Sequence, residues 1–562
     1  MSSGRDTDRE NGFAKYRIAM KASDLLIATA VGAPLAMLLA CLSPAIRKRM
    51  PTLLGFAPIP ALAAALLADG TPLMFGNAQF EFSFAMDKPG AILLTVAAIL
   101  WIAAGAYATT WLRNTDNAGG LVVCWLMTLT GCVGVFLAAD IVGFYFLLAV
   151  LSVGASGLVL QGGTLKALRA SAVYLGVALL AEAFLLAGLV MLALVMPHGS
   201  LLIRDAAAAI STSPWRDLTL GLLVVGLGIK AGLVPLHFWM PLAYDAAPIP
   251  ASAVMSGAVV KASALALIRF LPFDAALPDF GLPLAAIGFF GAFYGVAIGV
   301  TQSEPKVVLA YSSVSQMGFL VAVIGMGLAV GNADAALAAS FYAAHHLLAK
   351  GALFLAVGVV ATTGRHRLWL VLLPAAVLAL GIGGLPLTGG ALAKLAVKPV
   401  LGDGLAGLLA DLSAIGTTML MFHFLSRLAA STASIPSTSA PVGFALPWLL
   451  MFVAAIAVPW KSYPLTGIGI GSYAFQPEIL WAASWPILIG IVPMLVLWRW
   501  GRHLPQMPEG DLMTVGERAM RKVITWGYGL ERAEGLLRRW PVATLMLLAL
   551  AVFLGRMLID WR

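Results

Sequence analysis

Charged side chains are scarce in this sequence: Asp, Glu, Lys and Arg make up 11% of its 562 residues, less than half of the roughly 25% usual in soluble globular domains. With 61% hydrophobic residues beside them, a soluble globular fold is excluded. Cysteine is rarer still. Cys41, Cys124 and Cys132 lie within apolar runs with no Cys-x-x-Cys spacing, which excludes a disulfide framework and a cysteine-ligated iron–sulfur cluster. No flavin, haem or nucleotide motif appears, so a self-contained redox enzyme has no support. Segments of about 10 residues alternating in polarity, the mark of a transmembrane barrel, are also missing.

What the sequence does have is long apolar runs. Stretches of about 18 to 25 residues, each enough to cross a ~30 Å hydrocarbon core as a helix, recur from about Ser23 to the C-terminus. About 14 to 16 of them can be counted. The fold expected is therefore all-α, a polytopic transmembrane helical bundle. The polar N-terminal tail has no clean small-residue cleavage motif, so the first span is expected to stay.

Net charge is +9, but the basic residues are scattered between spans instead of forming a stripe, which argues for membrane anchoring and against nucleic acid. Taking the loops alternately, Arg47, Lys48, Arg49, Arg113, Lys166, Arg169, Lys306, Arg365 and Arg367 fall on one side. Lys88, Arg204 and Arg216 fall on the other. The positive-inside rule places the first set in the cytoplasm and the N-terminus outside.

Five regions are expected: a polar tail over 1–22, N-terminal spans over 23–117, two halves of a core over 118–270 and 271–430, and C-terminal spans over 431–562. The last holds an amphipathic segment at about 511–540, either lying in the membrane interface or packing as a connector helix. "GLVPL" from Gly232 and "GGLPL" from Gly383 share a Gly-x-x-Pro-Leu break within apolar runs. Pro235 and Pro386 each remove a backbone donor and are expected to interrupt their helices. Interrupted helices at matching positions of two halves point to a transport site.

Ionisable residues sit where they are expensive. A lysine at the centre of a span costs about 2.5 to 3.5 kcal/mol on insertion scales, so Lys230, Lys261, Lys350 and Lys394 together cost on the order of 10 kcal/mol if unpartnered. Snorkelling to the interface is the alternative for Lys230 and Lys394, which lie near breaks. His346 and Lys350 are four apart on one helical face, with His345 adjacent, an arrangement suited to a proton relay. Glu182 is the one acid well inside a span and is expected to neutralise a lysine on a neighbouring helix. Asp140 begins a span and Asp245 follows Pro241. His423 and Arg427 share a face and are read as approaching the interface.

The stretch "IKAGLVPLHFWMPLAYDAAPIPASAVMSGAVVKASALALIR" resembles the signature of the proton-conducting membrane subunits of respiratory complex I (NADH-quinone oxidoreductase), membrane-bound hydrogenases including formate hydrogenlyase, and Mrp-type cation/proton antiporters. Lys230, Pro235, His237, Trp239, Pro241, Ala247, Pro248, Pro250, Ser252, Ala253 and Lys261 fill the family's places. "EPKVVLAYSSVSQMGF", "HHLLAKGALFLAVG", "GLPLTGGALAK" and "MDKPGAILL" extend the resemblance over roughly Phe84 to Arg427. It implies a bundle of about fourteen spans with two inverted repeats and a hydrated axis that moves protons. The pathway so implied comprises Lys230, Lys261, His345, His346, Lys350, Lys394, Glu182 and His237, with no metal and no cofactor in this chain. Redox cofactors, if used, would belong to partner subunits.

The partners implied are other membrane subunits, with a peripheral redox arm or a soluble zinc protein as open alternatives, in a prokaryotic cytoplasmic membrane. One departure stands out. In "DIVGFYFLLAVLSV", Ala149 occupies the place where the family carries the glutamate that partners the first lysine. Either Glu182 has taken over that role, or the chain is a structural membrane anchor with impaired pumping.

Overall fold

The computed structural model describes residues 22–77, 80–113, 118–196, 200–434, 439–467, 471–500 and 507–508. The amphipathic segment expected at about 511–540 and most of the N-terminal tail lie outside them. Nineteen helices are used below: α1 Ala22–Ala40, α2 Pro44–Arg49, α3 Ile59–Leu67, α4 Lys88–Leu112, α5 Ala118–Leu137, α6 Ile141–Leu160, α7 Leu165–Val195, α8 Ile203–Ile210, α9 Arg216–Ala231, α10 Trp239–Ala246, α11 Ile249–Phe270, α12 Pro278–Gly299, α13 Pro305–Val330, α14 Asp334–Ala361, α15 Trp369–Gly383, α16 Gly389–Leu401, α17 Leu405–Ala430, α18 Val442–Ser462 and α19 Pro477–Trp500. A hairpin, β1 Leu73–Asn77 against β2 Phe80–Phe84, is antiparallel with Leu73 opposite Phe84.

Twelve of these helices are long and apolar enough to cross a membrane among the described residues, and the chain is an integral membrane protein. Two further apolar runs among the described residues are interrupted, α9 with α10 and α15 with α16. The region before residue 117 differs from expectation. Its middle run is not a regular span, because Pro44, Pro51, Pro58 and Pro60 divide it into α2, a short 3-10 turn and the nine-residue α3. Proline starts a helix readily, but in a helix interior it removes a hydrogen bond and strains the preceding turn.

Helix starts follow capping chemistry. Asp87 accepts from the Gly90 amide at 2.7 Å, Asp140 from the Gly143 amide at 2.6 Å and Thr164 from the Ala167 amide at 3.0 Å, each satisfying an orphan donor of the first turn. Asp140 also accepts from the Ser83 amide at 2.7 Å, so its role is to seat the hairpin on α6. Arg269, in the last turn of α11, grips both Asp87 carboxylate oxygens at 2.8 and 2.7 Å. Its remaining donors reach the carbonyls of Val135, Phe136 and Ala138 that end α5. One guanidinium thus ties three helices together at one face.

The breaks begin earlier than the prolines. Gly232 (φ 76°) and Gly384 (φ 102°) adopt the left-handed conformation and end α9 and α15. Each closes with the same cap: Leu233 N to Gly228 O at 2.8 Å and Leu385 N to Leu380 O at 3.0 Å. A left-handed glycine with this six-to-one bond is the usual helix stop, and Pro235 and Pro386 then keep the chain from resuming at once.

At the centre, α11, α13 and α14 are buried over their full spanning windows. α12 and α13 pack backbone to backbone: a Cβ at Gly288 would lie 2.5 Å from Ala322 N, and one at Gly295 would lie 2.6 Å from Ser315 N. With no hydrophobic drive between helices in lipid, such small-residue seams supply packing by close approach. The alternation of crossings puts Arg47, Arg113, Lys166, Lys306 and Arg365 at one face of the bundle. Asp87, Asp140, Asp205, Asp217, Asp279, Asp334 and Asp403 lie at the other.

Candidate functional site

Lys230 stands in the last turn of α9, where the exposed carbonyl end of a helix favours a cation. Its ammonium donates to Glu182 Oε1 at 2.9 Å and to Ser152 Oγ at 2.6 Å, and both members of the ion pair are 9% exposed in their side chains. Glu182 comes from the middle of α7 and Ser152 from α6, one turn beyond Ala149. So α6 supplies a hydroxyl and α7 the carboxylate. Beside the pair is a cavity of about 20 Å³ bounded by Lys230, Ser152, Tyr174, Trp239 and Ser263, enough for about one water.

Ser263 lies on α11 two residues beyond Lys261, which is fully buried. Lys261 follows a π-turn over Met255–Val259, and its ammonium donates to the Ser256 carbonyl within that turn at 3.2 Å. A π-turn displaces the regular bonding ladder and is frequent at functional positions. From there a polar path crosses the packed core. Ser256 Oγ meets Ser313 Oγ at 3.0 Å, Ser313 donates to Leu309 O at 3.1 Å, and Lys350 donates to that same carbonyl at 2.8 Å. Among the described residues no ion pair reaches Lys261 or Lys350.

His346 lies one turn before Lys350 on α14, within electrostatic range of Lys261, Lys350 and His345. His345 is 6% exposed; neither of its ring nitrogens, nor His346 Nε2, finds a hydrogen-bond partner among the described residues. The His345 ring lies against the start of α16, where Cβ atoms on Gly389 and Gly390 would come within 2.7 and 3.0 Å of its nitrogens. Lys394, on α16, reaches back across the break and donates to the Gly383 carbonyl that ends α15. Snorkelling is thereby set aside for Lys230 and Lys394: both ammonium groups are anchored at the breaks. Lys261 and Lys350 lie near mid-span, twelve residues into α11 and sixteen into α14, while Lys230 and Lys394 lie at the two breaks.

The remaining candidates separate. His237 is fully buried between the two parts of the first broken helix, with its ring centroid 5.0 Å from Tyr294 and 6.1 Å from Tyr311; it faces α12 and α13. Asp245 pairs with Lys166 at 2.5 Å, and Lys306 donates to the Asp245 and Ala247 carbonyls at the end of α10. His423 and Arg427 bond the carbonyls of Gln302 and Ser303, each at 2.7 Å, and fix α17 to the α12–α13 loop.

Sequence reasoning missed Ser152, Ser256 and Ser313, and a second buried chain in which Tyr342 donates to Gln316 at 2.5 Å and Gln316 to Thr417 at 3.0 Å. Neutral polar residues within apolar helices were the available signal, but serine and threonine commonly bond their own helix and so mark no partner.

Residues 138–419 match the family described as NADH:quinone oxidoreductase/Mrp antiporter, transmembrane. NADH-quinone oxidoreductase subunit N of Desulforudis audaxviator (strain MP104C) is 34% identical over 50% of this chain and 57% of that relative, so the shared region is little more than half its length. NADH-quinone oxidoreductase subunit N 1 of Symbiobacterium thermophilum is 30% identical over 67% of this chain and 81% of the relative. Among solved structures, a chain of the Mrp complex from Dietzia sp. DQ12-45-1b superposes with a TM-score of 0.68 at 21% identity, covering 83% of this chain and all of that one. With half the sequence inside the family's own match, the chain belongs to the NADH:quinone oxidoreductase/Mrp antiporter transmembrane family.

Proposed function

We propose that this chain moves protons across a prokaryotic cytoplasmic membrane as one subunit of a multi-subunit complex, along an axis running from Lys230 and Glu182 through Lys261, His346 and Lys350 to His345 and Lys394. The observation that carries the reading is the row of four lysines inside the apolar bundle, one paired and the others resting on backbone carbonyls. Two ammonium charges along one low-dielectric path repel, so a proton arriving at one favours departure from the other. Water bridging the orphaned histidine nitrogens would complete the steps between side chains. The driving energy would enter through partner subunits, as a redox arm or an ion gradient, and the face rich in lysine and arginine would be cytoplasmic.

The anchor reading, raised by Ala149, is disfavoured because Glu182 restores the missing counter-charge at 2.9 Å from Lys230. A direct test is the decay of an imposed pH gradient in inverted vesicles of the source membrane carrying the assembled complex. Lys261→Met is expected to slow proton movement at least ten-fold with assembly intact; a rate equal to wild type would return the chain to the role of an anchor.

A further inference from the structure

The far end of the axis opens into a cavity of about 340 Å³ between α16, α17 and α19, with Lys394, Lys398, Asp403 and Asp411 among its walls. This is space for several water molecules. Asp403 lies in the loop at the outer rim, with its carboxylate 95% exposed and 4.0 Å from Lys398. Asp411 is different. It lies six residues into α17, about 9 Å along the helix, at a depth where an acid is expensive unless it faces water or a partner. Among the described residues it makes no hydrogen bond or ion pair, yet it lies close enough to Lys394 for their charges to interact. This exposed carboxylate, carried that far into a span, lines the same cavity as Lys394 and lies within electrostatic range of both Lys394 and Lys398.

We propose that Asp411 takes the proton that leaves Lys394 and hands it to the water of this vestibule. The lysine goes from ammonium to amine, the carboxylate becomes the acid, and the acid then releases its proton to solvent. Asp411 would also set the counter-charge for Lys394 that Glu182 sets for Lys230. The inference rests on the proton-moving reading above and extends it to a residue outside the lysine–histidine row.

The test compares Lys394→Met, Asp411→Asn, Asp411→Glu and Asp403→Asn in inverted vesicles carrying the assembled complex, reading the decay of an imposed pH gradient with and without added formate. Asp411→Asn is expected to slow proton movement about ten-fold, Asp411→Glu to recover most of it, and formate, small enough to enter the vestibule, to rescue the asparagine variant. Asp403→Asn should behave as wild type. A wild-type rate in Asp411→Asn beside a slow Lys394→Met would overturn the assignment and leave the relay standing. A slow Asp411→Asn that neither glutamate nor formate restores would make Asp411 a packing residue. A Lys394→Met variant at the wild-type rate would sink the relay itself.

Discussion

The two interrupted crossings stop their helices in the same way and then use the break differently. In α9–α10 the lysine precedes the left-handed glycine, and its charge is met by Glu182 and Ser152 from two neighbouring helices. In α15–α16 the lysine follows the glycine and turns back onto the Gly383 carbonyl, with Asp411 across a cavity. One backbone device therefore serves two electrostatic settings. The first holds an ammonium beside a full counter-charge; the second holds it on a backbone carbonyl at the edge of a cavity.

The largest effect should come from breaking the paired end. Removing one partner of a buried ion pair typically costs about 3 to 5 kcal/mol because a charge is left uncompensated. Glu182→Gln is thus expected to lower the melting temperature of the detergent-solubilised protein and to slow proton movement more than ten-fold. Lys394→Met, which breaks no direct ion pair among the described residues, should leave melting nearly unchanged while still slowing transport. Equal melting losses in the two variants would erase the distinction between the ends.

The backbone contrast can be broken as sharply. A methyl group at Gly390 would collide with the Gly381 carbonyl, which is fixed backbone, whereas at Gly232 it meets the flexible tip of Met240. Gly390→Ala is expected to abolish accumulation in the membrane. Gly232→Ala should accumulate with a penalty of about 1 to 2 kcal/mol from the left-handed conformation, read as a modest drop in melting temperature.

A third variant sharpens the paired end. Ala149 is one turn from Ser152 on α6, so Ala149→Glu in the Glu182→Gln background should return a carboxylate to Lys230 and recover part of the lost transport. No recovery would mean that the α7 position alone suits this lysine.

The smallest effect lies outside the membrane spans. Burial would push the Asp87 carboxyl up, but the Arg269 charge and its hydrogen bonds outweigh that and hold the carboxyl below its ordinary value. A lowered carboxyl adds stability above its unfolded value and loses it as pH falls through the folded one. Asp87→Asn should therefore melt below wild type at neutral pH, and the gap should close in acid. Because this carboxylate is 45% exposed, the gap should be small and should shrink further in salt.

Much of this was legible beforehand. Apolar run length gave the bundle, and the cost of charge within spans singled out the lysines of the proposed axis, because an uncompensated charge there is too costly to be incidental. The breaks were found through Pro235 and Pro386, although the glycines Gly232 and Gly384 set their position. The partnership of Glu182 with Lys230 could be posed as a hypothesis but not decided, since two residues 48 apart meet only once α7 and α9 are packed. Asp411 was not singled out at all. Near a helix start it reads as ordinary interfacial acid, and only the cavity beside Lys394 distinguishes it.

The mid-span depth that Lys261 and Lys350 share has an electrical consequence. A charge displaced across the whole membrane feels about 2.3 kcal/mol per 100 mV, but a hop between groups at equal depth crosses almost none of that drop. Membrane voltage would thus act on proton uptake at one face and release at the other, while the lateral step between these two stays nearly insensitive to it. That stretch of the row would behave like a wire held at one potential, with the field concentrated at its two contacts.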